Sequence, residues 1–202
     1  MALPPTIGVF LDADGVLWPD RGAGEVINGL GEAVSRLTEF TEALGPRDYF
    51  RIVIITNQTL AARGDVGYFK FRSKVREVFN SLIKLNLIDS FEVCYHHPLS
   101  KKIFLRRKNC RCRKPAPGMI LKIIRRYKLN PERCVLIGDR ITDIAAGQAA
   151  GINTKILINN ARAFEVNKGR QGSAHLEDLL EFSLCENLLE SVAVIKELKK
   201  SD

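Results

Sequence analysis

Short apolar runs alternate with amphipathic stretches along most of the chain, the pattern of strands alternating with helices. The first run, Ile7 to Leu11, stops at Asp12. Leu30, Val34, Leu37 and Leu44 follow at helical spacing, and Gly45-Pro46 ends that helix. Ile52 to Ile55 predicts a second buried strand, Phe69 to Leu85 a further helix, and Phe91 to Tyr95 a third strand. Pro117 opens a helix with Ile120, Ile123, Ile124 and Tyr127 on one face. Cys134 to Gly138 predicts a strand ending at Asp139, Ile141 to Ala150 a helix closed by Gly151, and Thr154 to Ile158 a last strand. Further on, Leu188, Leu189, Val192 and Ile195 predict an outer helix, Cys185 is assigned to a helix, and 160–175, ending at an ordinary His175, reads as a loop.

Such alternation predicts an α/β fold, a parallel sheet covered on both faces with ligands beyond the carboxyl ends of its strands. Asp12, Thr56 and Asp139 each fall at such an end, so polar groups far apart in sequence converge on one mouth. Residues 96–116 break the pattern. They carry no usable period and are long for a connection, which marks a functional or metal-tied loop.

The 202 residues support one full domain, 1–202, and 46 % hydrophobic with 27 % charged residues exclude a disordered chain. No apolar run approaches the ~18 residues that cross a bilayer, and the start lacks a basic n-region, so a cytoplasmic protein with no membrane partner is expected. Five cysteines, two of them only two apart, fit a disulfide framework badly and raise metal binding instead. The net charge is +8, but residues 101–114 hold eight basic side chains and no acid, and the remainder balances at 23 against 23. The imbalance is therefore one local anion-attracting patch.

Asp12 and Asp14, two apart in LDADGV, can point the same way, and with Asp139 they repel one another unless a hard divalent cation such as Mg²⁺ joins them. By itself the same stretch also reads as an Asp-Gly turn. Asp143 fits equally a first-turn acid on the helix dipole or a supporting role behind the cation. Cys94 and His96, with Cys110 and Cys112, bracket the irregular loop with three thiols and an imidazole, a set suited to a closed tetrahedral Zn²⁺ site over about 94–114. His97 adjoins His96 and faces substrate, solvent or the ligands' surroundings.

In order, LDADGV, ITNQ, a Lys-Pro pair and GDRITD resemble the four motifs of haloacid dehalogenase-like phosphatases, over positions 7–151. CYHHP, CRCRKP and ITNQTLAARG are similar to the zinc-containing branch of D-glycero-D-manno-heptose 1,7-bisphosphate phosphatases and histidinol-phosphate phosphatases. The resemblance implies a Rossmann-like three-layer sandwich with a mostly parallel sheet of order 5-4-1-2-3. Only about 40 residues separate the first two motifs, so no large cap domain is expected.

It also implies roles. Asp12 is the nucleophile and Asp14 the general acid and base, while Thr56 and Lys114 hold the transferring phosphoryl group. Asp12, the backbone carbonyl of Asp14, and Asp139 bind Mg²⁺. Asn57 and Arg113 contact substrate, and the zinc is structural. The implied partner is a small phosphorylated metabolite, first a heptose bisphosphate cleaved at its 7-phosphate, with histidinol phosphate as the alternative, acted on by a monomer. A nucleic acid is the second class of partner, through a polynucleotide 3′-phosphatase reading of the basic segment. Ala13 and Leu60-Ala61 depart from the branch's usual residues beside the pocket.

Overall fold

A run of five residues without a polar side chain belongs in a sheet covered on both faces. β1 (Ile7–Leu11) is that strand, buried throughout. The computed structural model describes residues 6–19, 25–159 and 181–200. The loop expected over 160–175, with His175, lies outside the described residues.

β1 is flanked by β2 (Phe50–Asn57) and β4 (Cys134–Gly138), with β3 (Ser90–Cys94) beyond β2 and β5 (Thr154–Ile158) and β6 (Ser183–Cys185) beyond β4. Every neighbouring pair is parallel, in the order β3-β2-β1-β4-β5-β6. The first five strands stand in the expected order, and β6 adds a sixth at the far edge.

Alternation along β1 sends its side chains to two cores. Ile7, Val9 and Leu11 pack in one with Leu37 and Phe40 of α1 (Leu30–Leu44), Phe71 and Phe79 of α3 (Tyr68–Lys84) and Ile195 of α6 (Ser191–Lys200). Phe10 joins the other, with Ile120 and Ile123 of α4 (Gly118–Tyr127) and Ala146 of α5 (Ile141–Ala149). The three layers follow from this division. Between β1 and β2 the described residues hold α1 and two short 3₁₀ turns, and no inserted domain. Among the described residues no helix is long and apolar enough to cross a membrane.

Several boundaries differ from the periodicity. β2 extends past Ile55 to include Thr56 and Asn57, and a four-residue helix, α2 (Leu60–Arg63), follows it. Cys185 lies on the strand β6, not on a helix. A three-residue edge strand with Ser183 and Leu184 exposed is too short to display a period, and only pairing with Ile156 to Ile158 defines it. Leu188 and Leu189 precede α6 in a turn, with Leu188 buried and Leu189 largely exposed.

Candidate active site and metal centre

Asp12 sits where β1 leaves the sheet. Its N–H donates to Ile137 O at 2.9 Å, prolonging the ladder to β4 by one residue and bringing it beside Asp139. Carboxylate oxygens of Asp12, Asp139 and Asp143 lie within 4.8 Å of one another, all three residues buried. Two glycines make the approach possible. Gly15 has φ +82°, and a Cβ there would collide with the Asp139 carboxylate, while one on Gly138 would collide with Asp143.

Lys114, 4 % exposed, reaches into this cluster from the end of the irregular loop. Its ammonium lies 2.8 Å from Asp12 Oδ1 and 2.6 Å from Asp143 Oδ1, and donates to Ile55 O at 2.9 Å. Burial pulls the Lys114 pKa down, but Asp12 and Asp143 outweigh it and the net shift is upward, so the side chain stays charged. Burial is the main force raising the Asp12 carboxyl; Lys114 opposes it, and Asp143, Asp139 and Asp14 add to the rise. Asn57 holds the lysine in place: its amide donates to Lys114 O and accepts from Lys114 N–H, each at 3.2 Å.

Three buried acids face one buried ammonium, with the Arg140 guanidinium 3.8 Å from Asp139 and more exposed. Hard oxygen donors with uncompensated negative charge suit a divalent cation of the Mg²⁺ type. Asp143 stands inside this group, closer to the centre than a helix-dipole acid needs to be. It also closes the start of α5, accepting from Arg140 N–H at 3.0 Å. Asp14 does not bring its carboxylate there.

The Asp14 side chain is turned aside. Leu17 N–H donates to Ala13 O at 2.9 Å and Gly15 N–H to Trp18 O at 2.8 Å, so the chain doubles back and places the Trp18 ring over Asp14. Trp18 Nε1 donates to Asp14 Oδ1 at 2.7 Å, and Gln58 Nε2 donates to Asp14 Oδ2 at 2.8 Å. Gln58 Nε2 also donates to the buried Thr56 hydroxyl at 3.1 Å. Trp18 is itself fully buried and stacked on Phe79, with ring centroids 6.3 Å apart. The sequence motifs contain Gln58 but carry no signal for its role or for that of Trp18. Both are defined by contacts across the mouth.

At the end of β3 the second expected cluster forms. Cys94 Sγ lies 3.8 Å from Cys110 Sγ and 3.2 Å from Cys112 Sγ, and the last two are 3.3 Å apart. His96 Nδ1 is 3.7 Å from Cys94, 3.4 Å from Cys112 and 3.4 Å from Cys110. All three cysteines are free. Hydrogen bonding by Cys94, then by Cys110 and His96, draws the Cys112 thiol down to about 5, while the bond to Cys112 and burial push Cys94 up. Three sulfurs and a nitrogen at the corners of one small tetrahedron form a donor set that suits a metal ion such as Zn²⁺.

Beside Lys114 a cavity of about 490 Å³ is walled by Pro98, Lys108, Arg111, Arg113 and Pro115, with no acid in its lining. Arg113 donates to His96 O at 3.3 Å, which ties the cavity wall to the cysteine cluster. His97 accepts from Leu99 N–H at 3.2 Å through Nδ1; burial, then Arg113 and Arg63, lower its pKa.

The HAD-hydrolase-like family model matches residues 111–181. Fold, site and relatives together define a haloacid dehalogenase-like hydrolase, and the chain belongs to that family as one of its phosphatases. The chain is 30 % identical to the D-glycero-beta-D-manno-heptose-1,7-bisphosphate 7-phosphatase of Photorhabdus laumondii, over 95 % of its own length and 96 % of the relative's. It is 32 % identical to the enzyme of the same name from Vibrio cholerae, over 76 % and 82 % of the two chains. The solved D,D-heptose 1,7-bisphosphate phosphatase of B. bronchiseptica, complexed with magnesium and phosphate, shares the fold with a TM-score of 0.64 at 23 % identity, covering 98 % of this chain and all of that one.

Proposed function

We propose that this phosphatase removes the 7-phosphate of D-glycero-β-D-manno-heptose 1,7-bisphosphate, with Mg²⁺ at the carboxylate cluster. The reading is carried by identity to enzymes of that name along almost the whole chain. The acid-free cavity beside Lys114 supports a substrate with a second anionic end, met by Arg113 and its neighbours. Asp12, Asp139 and the Asp14 carbonyl would hold the magnesium, with the Asp143 carboxylate in the same group of acids, and the ion would supply charge neutralisation at the transferring phosphoryl group. Asp12 Oδ1 accepts from Ala13 N–H at 2.7 Å and faces Lys114, so Oδ2 is the oxygen that attacks phosphorus. The phosphorus–oxygen bond to the sugar breaks as the bond to Oδ2 forms.

Asp14 protonates the departing sugar oxygen, then takes a proton from the water that releases phosphate from Asp12. Thr56 and Lys114 steady the phosphoryl oxygens, and Asn57 positions the lysine. Assay of the magnesium-loaded enzyme against the heptose bisphosphate, histidinol phosphate and a 3′-phosphorylated oligonucleotide tests the assignment. The heptose bisphosphate should be preferred, and preference for either of the others replaces this reading.

Gln58 and Trp18 aim the Asp14 carboxyl. Gln58→Leu is therefore expected to lower kcat by about 10-fold to 100-fold, within the range of acid–base contributions, with KM changed little. Steady-state kinetics check this, and a change confined to KM would count against the assigned role of Asp14.

The cysteine cluster binds one structural zinc per chain, which orders a loop lacking a core of its own. Metal analysis of protein prepared under reducing, chelator-free conditions should find about one equivalent. Cys112→Ser should lose it and expose 94–114 to proteolysis.

A further inference from the structure

Between His97 and Arg107 the loop buries Ser100 while three large apolar side chains face outward, unlike an ordinary surface turn. Ser100 is 2 % exposed, and its hydroxyl donates to Ala62 O at 2.8 Å. Lys102 donates to Val66 O at 2.8 Å, and Leu105 is buried as an anchor. Facing out are Leu99 at 82 % exposure, Ile103 at 80 % and Phe104 at 57 %. Phe69, at 77 %, joins them through Tyr68, whose ring lies 5.3 Å from that of Phe69 and 5.4 Å from that of Phe104. The display is held by backbone bonds: His97 N–H donates to Leu105 O at 3.0 Å and Arg107 N–H to His97 O at 3.4 Å.

Exposed cations interleave with these apolar side chains. Lys101, Arg106 and Arg107 stand on the same turn, and Arg63 at the end of α2 and Lys70 at the start of α3 add to them against the acid Asp65. We propose that this turn docks on an anionic phospholipid bilayer, with Leu99, Ile103 and Phe104 entering the headgroup boundary and the cations meeting lipid phosphates. Phe69 and Phe104 offer ring faces, but the two most exposed side chains, Leu99 and Ile103, do not, and a base-stacking surface gains nothing from setting them outward. In protein interfaces apolar anchors gather at a core inside a polar rim, whereas here apolar and basic positions alternate along one turn. None of Leu99, Ile103, Phe104, Arg106 and Arg107 belongs to the carboxylate cluster or lines the cavity beside Lys114, so the proposal does not depend on the substrate assigned above.

Sedimentation of the full chain with phosphatidylcholine vesicles, and with vesicles also containing phosphatidylglycerol, tests it. The chain should partition at least about tenfold better onto the anionic vesicles, and added salt should release it. The double variant Leu99→Asp/Ile103→Asp should lose about tenfold or more of this partitioning, as should Arg106→Glu/Arg107→Glu, with phosphatase turnover on a soluble substrate unchanged. Phe104→Trp provides a reading in a chain with its charges intact, its emission moving to shorter wavelength on anionic vesicles alone. Equal sedimentation with both vesicle types, none with either, or undiminished binding by the Leu99→Asp/Ile103→Asp variant would overturn the proposal. Salt-sensitive binding of single-stranded DNA without vesicle binding would do the same and assign the surface to nucleic acid.

Discussion

Asp12→Asn is expected to lower turnover by at least about 10⁴-fold, the scale seen when a covalent nucleophile is removed. Asparagine keeps the side chain's shape and an oxygen that can still accept from Ala13 N–H and Lys114, so the mouth keeps its packing. What disappears is the carboxylate proposed to form the bond to phosphorus, since an amide is not a competent nucleophile. Thermal melting should change by only a few degrees, as one of three crowded negative charges is lost along with one ion-pair partner. Phosphate release above about a hundredth of the parent rate would remove Asp12 from the reaction coordinate.

Lys114→Met should be the most destabilising single change at the site, by about 3–5 kcal/mol, because it strands buried carboxylates instead of neutralising them. Urea unfolding at neutral pH in magnesium-free buffer, with the cysteine cluster left metal-loaded, measures this without help from a cation at the carboxylates. The pH dependence has a definite sign. In the parent chain the Lys114 pKa is raised on folding, so its stabilisation is complete below the ordinary lysine range and is lost as pH rises through the folded value. The Asp12 carboxyl is also raised, so its contribution opposes folding as pH climbs out of the ordinary carboxylate range. The deficit of Lys114→Met should therefore narrow at acid pH, where the carboxyls become neutral. A loss under about 0.5 kcal/mol at neutral pH would mean that the acids do not depend on the lysine.

Inward and outward placement within the loop that carries the cysteine cluster illustrates how legibility divides. The basic composition of 101–114 and the four metal-type side chains around it are plain in the sequence, because both are matters of residue type. That Ser100 is buried while Leu99 and Ile103 are exposed is not, because residue type alone predicts the opposite. The expectation of no membrane partner rests on the lack of an apolar run long enough to span a bilayer. The exposed turn concerns a peripheral contact, which no hydropathy window detects.

The catalytic mouth divides in the same way. Asp12, Thr56 and Asp139 could be assigned to one edge of the sheet because each ends or follows an apolar run, and in a parallel sheet those ends lie together. Asp143 could not be separated from an ordinary helix-capping acid until Gly138 brought the strand against it and Lys114 was seen to reach it. Trp18 and Gln58 were silent because their value lies in two hydrogen bonds to Asp14, from residues 4 and 44 positions away.

By itself, then, the sequence determined the alternation of strands and helices, the parallel sheet, the residue types at its mouth and the metal-type donor set around the irregular loop. These depend on local period and on side-chain chemistry, both written along the chain. Tertiary structure alone decided that Asp143 belongs among the buried acids, that Asp14 is turned toward Trp18 and Gln58, that Cys185 pairs in a sixth strand, and that apolar side chains crown the basic turn. Each of these is a distance or an orientation set by tertiary packing, and such quantities exist only once the packing of the whole sheet has set its register.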